Sequence, residues 1–302
     1  MQPQAFASID LSWATLRYAE VEHRASGVRP LRLGSCDFDF DVTHELLRTE
    51  APTHLDVVAD ALSDVFAGAA SRELRVVVHP PDAYSFVTVV SKETSAEERS
   101  ERFQQEASLL AGTEPGEGLY LTASAVHADT HLDVEPVHVL AVPDDRHARI
   151  ETVLASMPHT DVRWILSTQA AARVMTHALP PGEENERAIT LVVGVYPDFT
   201  EYGLLRNGRW YFSHYADAEE PVDATYFATA LLDQLDIPRS AVARIGLYGI
   251  GANAEAFSPF ETIFGVAPEP IDPFGVLGLD HAALQGTDFG MGVYVPCVGA
   301  AL

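Results

Sequence analysis

Two stretches decide the fold: Phe6-Ala-Ser-Ile-Asp-Leu-Ser-Trp-Ala-Thr-Leu-Arg-Tyr-Ala-Glu-Val-Glu22 and Ile189-Thr-Leu-Val-Val-Gly-Val-Tyr-Pro-Asp-Phe-Thr-Glu-Tyr-Gly-Leu-Leu-Arg-Asn-Gly-Arg-Trp-Tyr-Phe-Ser-His214. Each is a run of β-branched, apolar and aromatic residues that breaks at a short turn and resumes as a second extended run. The two stand about half a chain apart, so the sequence predicts a duplicated architecture of two lobes.

Working outward, residues 5–10, 15–22 and 31–38 read as a three-strand meander, with turns at Ser12 and near Ser26-Gly27. His54 to Phe66 places apolar residues at helical spacing, and Leu74–Val78 is a short buried strand. From about Tyr84 the pattern changes. Phe86–Val90 is a strand. Ser95-Ala-Glu-Glu98 opens a helix through a capping box, and the helix runs to about Leu110. Leu119–Val126 and Pro136–Val142 form a hairpin, Asp144 and Asp145 open a further helix, and Val162–Leu166 is a strand. Ser167–His177 is an Ala-rich helix, and Pro180-Pro-Gly-Glu-Glu-Asn-Glu186 a polar linker. The meander then recurs, followed by a helix from Ala224 to Leu235, a strand over 243–248, a turn at Gly249-Ile-Gly-Ala-Asn253 and a helix from Glu255 to Phe264. The order βββαβ thus occurs twice.

Bulk properties bound the function. The chain has 302 residues, 47% of them apolar, enough for folded cores. Its formal charge of −25 opposes nucleic acid and anionic membrane surfaces. Lys92 is the single lysine, which fits either an arginine-rich codon bias or a salt-adapted acidic surface. Cys36 and Cys297 form no motif, and a reduced cytoplasmic protein is the expectation. No signal peptide and no apolar run long enough to span a bilayer is read from the sequence.

Several segments resemble the PilM family, the actin-like cytoplasmic proteins of the type IV pilus inner-membrane platform, related to the cytoplasmic domain of GspL in type II secretion. They are Ile9-Asp-Leu-Ser-Trp-Ala-Thr-Leu-Arg17, Thr94-Ser-Ala-Glu-Glu98, Phe103-Gln-Gln-Glu-Ala107, Val139-Leu-Ala-Val-Pro143, Leu205-Arg-Asn-Gly-Arg-Trp-Tyr-Phe-Ser213, Ile245-Gly-Leu-Tyr-Gly-Ile-Gly-Ala252, Pro270-Ile-Asp-Pro-Phe274 and Gly292–Leu302. Their order matches the family along nearly the whole chain. The resemblance implies an α/β, two-lobed, actin-like (ribonuclease-H-like) fold, with an α/β insert subdomain in lobe I and a shortened lobe II. The implied boundaries are 1–84 for the lobe I core, 85–163 for the insert and 164–187 for a lobe I helix and linker. Lobe II covers 188–290, and 291–302 is a closing segment returning to lobe I.

Short turns between paired strands cradle phosphates in the actin, sugar-kinase and Hsp70 group. The resemblance places the corresponding nucleotide positions at Asp10, Ser12, Arg17, Asp198, Glu201, Gly249 and Gly251. The details depart from that chemistry. A family glycine is Ser12 here, followed by Trp13, and a Cβ hinders backbone N–H groups from approaching phosphate. The family aspartate of the second turn falls at Gly194 and its glycine at Tyr196, and Pro197 removes a donor. Asp198 and Glu201 are the nearby substitutes for the missing acid. The stretch from Ser213 to Ala224 is too short for the helical subdomain that covers nucleotide in the family. Mg-ATP is therefore not expected as a cofactor, and no catalytic residue is assigned.

Other constellations point away from chemistry. His127-Ala-Asp-Thr-His131-Leu-Asp133 has ligand-type residues, but on a hairpin tip they do not converge, so no metal is expected. His79-Pro-Pro-Asp82 reads as a proline-fixed exit from a strand, and Asp37-Phe-Asp-Phe-Asp41 as an edge strand with charges on one face. No Gly-x-Ser-x-Gly context surrounds Ser8, Ser12 or Ser35.

The function implied is a non-enzymatic cytoplasmic scaffold, peripheral to the inner membrane, that binds a short peptide of a platform protein. The groove for that peptide would be walled by Tyr84, Phe86, Val87 and Phe103. Alternatives are an orphan actin-like protein sharing only the fold, an ATP-binding protein, weak ATPase or small-molecule kinase using Asp10, Arg17 and Asp198, and a GspL-like subunit, for which a spanning helix would be expected.

Overall fold

The computed structural model describes residues 4–25, 27–114, 118–126, 133–155, 157, 161–178, 188–218, 220–279 and 290–302. They group into two compact units, residues 1–166 with Ala301, and residues 167–300 with Leu302.

In the first unit, β1 (Gln4–Ser12), β2 (Thr15–Arg24) and β3 (Gly27–Asp37) form the antiparallel meander. Helix α1 (Leu55–Val65) follows, burying Val58 and Leu62 one turn apart, and leads to β4 (Glu73–Val78). The insert comprises β5 (Tyr84–Ser91), α2 (Ala96–Ala111), β6 (Leu119–Ala125) and β7 (Val134–Pro143), and α3 (Asp144–Leu154) and β8 (Asp161–Leu166) return the chain to the main sheet. That sheet has the order β3-β2-β1-β4-β8, with β1, β4 and β8 parallel. The insert has its own antiparallel sheet, β5-β7-β6. Helix α2 begins as the sequence requires. The Ser95 hydroxyl accepts from the Glu98 N–H at 3.2 Å, and the Glu98 carboxylate accepts from the Ser95 N–H at 3.1 Å. It ends at Gly112, whose φ of +70° is the left-handed cap.

The second unit contains α4 (Ser167–His177), β9 (Ile189–Val195), β10 (Thr200–Arg206), β11 (Arg209–Ala216), α5 (Pro221–Gln234), β12 (Val242–Gly249), α6 (Pro259–Phe264), β13 (Pro268–Pro270), α7 (Pro273–Val276) and α8 (Val295–Ala301). Its sheet order, β11-β10-β9-β12-β13, repeats that of the first unit strand for strand. Leu191, Val193, Tyr202, Leu204, Ile245, Leu247 and Phe260 form its core. Two such sheets with matching connectivity make the duplicated α/β architecture that the resemblance implies. Strand β11 ends at Ala216 and α5 begins at Pro221, so the stretch between them is as short as the sequence indicates.

The expected boundary put α4 and the closing segment with the first lobe; here α4 and residues 291–300 group with the second unit and Ala301 with the first. The contacts are local. Thr168 and Thr176 of α4 donate to the Ser213 hydroxyl at 3.0 Å and the Gly208 carbonyl at 2.6 Å, and α8 packs on α4 where Gly299 lies against Ala170. The helix expected from Glu255 begins only at Pro259, whose ring suits a first helical position. Strand β3 ends at Asp37, so Phe38–Asp41 lies beyond it; the Phe38 and Phe40 rings pack together 5.1 Å apart, and Phe40 stacks on His54. The linker 180–186, and His127 and His131 of the histidine cluster, lie outside the described residues.

Candidate functional site

The first hairpin turns through Trp13 and Ala14, with Trp13 in the left-handed region at φ +54°. The turn is engaged by the chain that follows β3. The Trp13 carbonyl accepts from the Val42 and Thr43 amides at 2.8 and 3.2 Å, and the Ala14 carbonyl accepts from Phe38 at 2.8 Å. Thr15 donates to Asp37 at 2.8 Å. Asp10 is buried, and its Oδ1 lies 3.1 Å from Nε2 of buried His79 at the end of β4. Arg17 stands opposite Asp10 on β2, and Ser12 is buried. Asp10, Ser12 and Arg17 therefore do share one hairpin, and the buried acid in it is held by a histidine that the sequence reading treated as a strand exit.

The second hairpin is filled from inside. Gly194 on β9 faces Glu201 on β10. Glu201 is fully buried, and its two carboxylate oxygens accept from the Ser167 hydroxyl at 2.7 Å and the Tyr248 hydroxyl at 2.6 Å. Burial first, and the Glu201 charge second, push the Tyr248 phenol well above its ordinary range, which keeps it a donor. A Cβ on residue 194 would come within 2.6 Å of Glu201 Cγ and 2.7 Å of Tyr248 Cζ. The glycine is what admits these two side chains, and an aspartate there has no room. At the tip, Tyr196 stacks on Phe199 at 4.9 Å and meets Tyr248 edge-on at 6.4 Å. Asp198 is exposed in the turn, whereas Glu201 faces the interior, so the two candidate acids do not act as a pair.

The glycine turn after β12 is likewise closed by packing. Gly249 has φ +94°, and a Cβ there would sit 2.5 Å from the Val195 carbonyl oxygen; Gly251 donates to that oxygen at 3.1 Å. The glycines let β12 seat its turn on the end of β9. In this hairpin the buried acid lies on β10 and faces inward, and the Tyr196 and Phe199 rings stack at the tip.

In the insert, Tyr84, Phe86 and Phe103 pack between α2 and the sheet, together with Val90, Val137 and Val139. Val87 points to the opposite sheet face and is 39% exposed. The four proposed wall residues are therefore not one wall. A different concavity is present, a groove of about 480 Å³ between α2 and the edge strand β6, lined by Ala96, Arg99, Phe103, Leu121, Ala123 and Val137 among others. On the far face, buried His138 lies 2.9 Å from the Ser85 hydroxyl, and burial lowers its pKa to about 4. The entry to the insert is pinned at Asp82, which receives Arg48 at 2.7 and 3.0 Å and whose carbonyl accepts from Arg146 at 3.1 Å. Among the described residues no cluster of His, Cys, Asp and Glu is placed to hold a metal.

Sequence reasoning missed Ser167, Tyr248 and His79 as partners of the acids, because each comes from a remote strand or helix. The available signal was Gly194 opposite an interior glutamate in an alternating hairpin. It also missed the β6 groove, whose sign was an uncharged strand ending in small residues, Thr122-Ala-Ser-Ala125.

No family model and no curated protein matches the chain. Among solved structures it is similar to the PilM-PilN type IV pilus biogenesis complex, at TM-score 0.76 and 15% identity over 98% of this chain and 97% of that one. It is also similar to a Bacteroides thetaiotaomicron protein with an actin-like ATPase fold and unknown function, at TM-score 0.52 and 10% identity, covering 88% and 90%. The cytoplasmic domain of EpsL from the Vibrio cholerae type II secretion system aligns at TM-score 0.44 and 11% identity over 82% and 83%. The chain has the actin-like fold and resembles PilM in structure along its whole length.

Proposed function

We propose that the protein is a non-catalytic scaffold of PilM type, working in the cytoplasm at the inner membrane. It would bind a short segment of an inner-membrane partner in a pilus or related secretion platform. The observation that carries the non-catalytic half is the second hairpin, where Gly194 admits Glu201 and Tyr248 into the place a phosphate and its metal would need. The partner half is supported by the full-length similarity to PilM, which in its solved structure is paired with PilN. No helix among the described residues is long and apolar enough to cross a membrane.

The test is binding of synthetic peptides taken from the cytoplasmic N-termini of inner-membrane proteins encoded beside this chain. The scaffold reading expects one of them to bind saturably and with no dependence on nucleotide. Binding of none, together with saturable Mg-ATP binding, would replace it by a nucleotide-dependent function.

A further inference from the structure

The insert sheet leaves β6 at its edge, and Ala123, Ser124 and Ala125 are exposed there. Three edge strands of the two larger sheets carry devices that discourage further pairing, whereas the fourth, β11, has only Arg209 at its end. Strand β3 has Arg29, Pro30 and Arg32, β8 has Asp161 and Arg163, and β13 is Pro-Glu-Pro. Strand β6 has neither charge nor proline. The other insert edge, β5, is also uncharged, but β6 alone borders the groove under α2. Ala123 and Ala125 pair with Val139 and Val137, so they point to the α2 side. Their small size leaves the space above Phe103, Leu121 and Val137 open.

The charge around this groove is negative. Arg99 lines it, but its three nitrogens donate to Glu135, Ser91 and Thr94 at 3.1, 2.9 and 3.1 Å, so it is no receptor for an anion. Arg102 is engaged by Glu106 at 2.7 Å. The flanks carry exposed carboxylates at Glu97, Glu101 and Asp133.

We infer that β6 accepts an extended peptide by strand addition. Its apolar side chains, every second residue, enter the α2 groove, and its flanking lysines or arginines meet Glu97, Glu101 and Asp133. Backbone pairing supplies affinity, and the groove and the acidic rim supply selectivity. The inference rests on the scaffold reading for the partner being a peptide, and on β6 for its place.

The probe is a fluorescein-labelled peptide, Lys-Arg-Val-Thr-Val-Thr-Val-Arg-Lys, against a version with glutamate in place of each basic residue. The variant is Ala123→Phe, which fills the groove at an exposed position, with Leu109→Ala on the exposed outer face of α2 as control. At about 50 mM salt, where surface charge is weakly screened, the basic probe should bind, with amides 121–125 gaining exchange protection. Ala123→Phe should weaken binding about tenfold or more, and the acidic probe should not bind. Equal binding to wild type and Ala123→Phe, or equal binding of both probes, overturns the inference. So does a concentration-dependent dimer that Ala123→Phe dissolves, which would make a second copy the occupant. If a platform peptide binds Ala123→Phe as well as wild type, the groove falls and the scaffold stands. If the basic probe docks on β6 but no platform peptide binds, the groove stands and the scaffold falls; binding of neither overturns both.

Discussion

Gly194→Ala tests the filled hairpin by sign as well as size. Gly194 lies in the extended strand β9, where alanine is conformationally allowed and by itself gains about 0.5–1 kcal/mol through the unfolded chain. Against this, the new Cβ meets Glu201 Cγ at 2.6 Å, Glu201 Oε1 at 2.7 Å and Tyr248 Cζ at 2.7 Å. Neither side chain can step aside cheaply, because both are fully buried and hydrogen-bonded to each other. Three contacts of that kind sit at the upper end of the about 1–3 kcal/mol cost of overpacking. The net expectation is a loss of about 2 kcal/mol, or roughly 25-fold faster exchange of the β9 and β10 amides at about 1.4 kcal/mol per tenfold. Hydrogen exchange read by mass spectrometry localises the effect to this unit, which a global melt of a two-unit chain does not. In a Glu201→Ala background two of the three contacts vanish, so the cost of Gly194→Ala should fall by about 1 kcal/mol or more. Unchanged or slower exchange in the single variant would show that the hairpin has free space, and the filled-site reasoning would be wrong.

Other consequences are as specific. His138 is depressed to about 4, below its unfolded value near 6.5, so the unfolded chain binds the extra proton between these pH values. Insert stability should be full above about pH 6.5 and fall by about 3 kcal/mol on acidification toward pH 4. His138→Asn should remove that dependence in pH-dependent exchange of β5 and β7. Arg48→Ala should leave buried Asp82 without its two-pronged partner and cost about 2 kcal/mol, discounted for the partial exposure of Arg48. Limited proteolysis would read this as faster cleavage between residues 79 and 84. Gly299→Ala should release α8 from α4, because its Cβ would come 2.0 Å from the Ala170 carbonyl oxygen and 2.5 Å from its carbon. A loss of about 3 kcal/mol should appear as early exchange of α4 and α8.

The fold was legible because its information is local. Alternating hairpins, a capping box at Ser95 and Glu98, and a βββαβ order read twice suffice to place the strands. The departure of the second hairpin from the family pattern was legible in Gly194, Tyr196 and Pro197. What fills the space was hidden, because Ser167 and Tyr248 reach Glu201 from elements separated from it by 34 and 47 positions. The proposed wall of Tyr84, Phe86, Val87 and Phe103 mixed two faces. Consecutive residues of a strand point opposite ways, so Phe86 and Val87 cannot line one groove. The β6 groove had no motif because it is made by small side chains and a strand edge that no other described strand pairs with. A shape of that kind arises only when helix and sheet are packed.

The central claim is most directly tested by calorimetric titration of the protein with Mg-ATP and Mg-ADP, in low and molar salt. A hairpin filled by Glu201, Tyr248 and Tyr196 predicts no saturable heat in either salt. Binding tighter than about 100 μM, worth roughly 5.5 kcal/mol, would contradict it and return the protein to the nucleotide-dependent members of its fold.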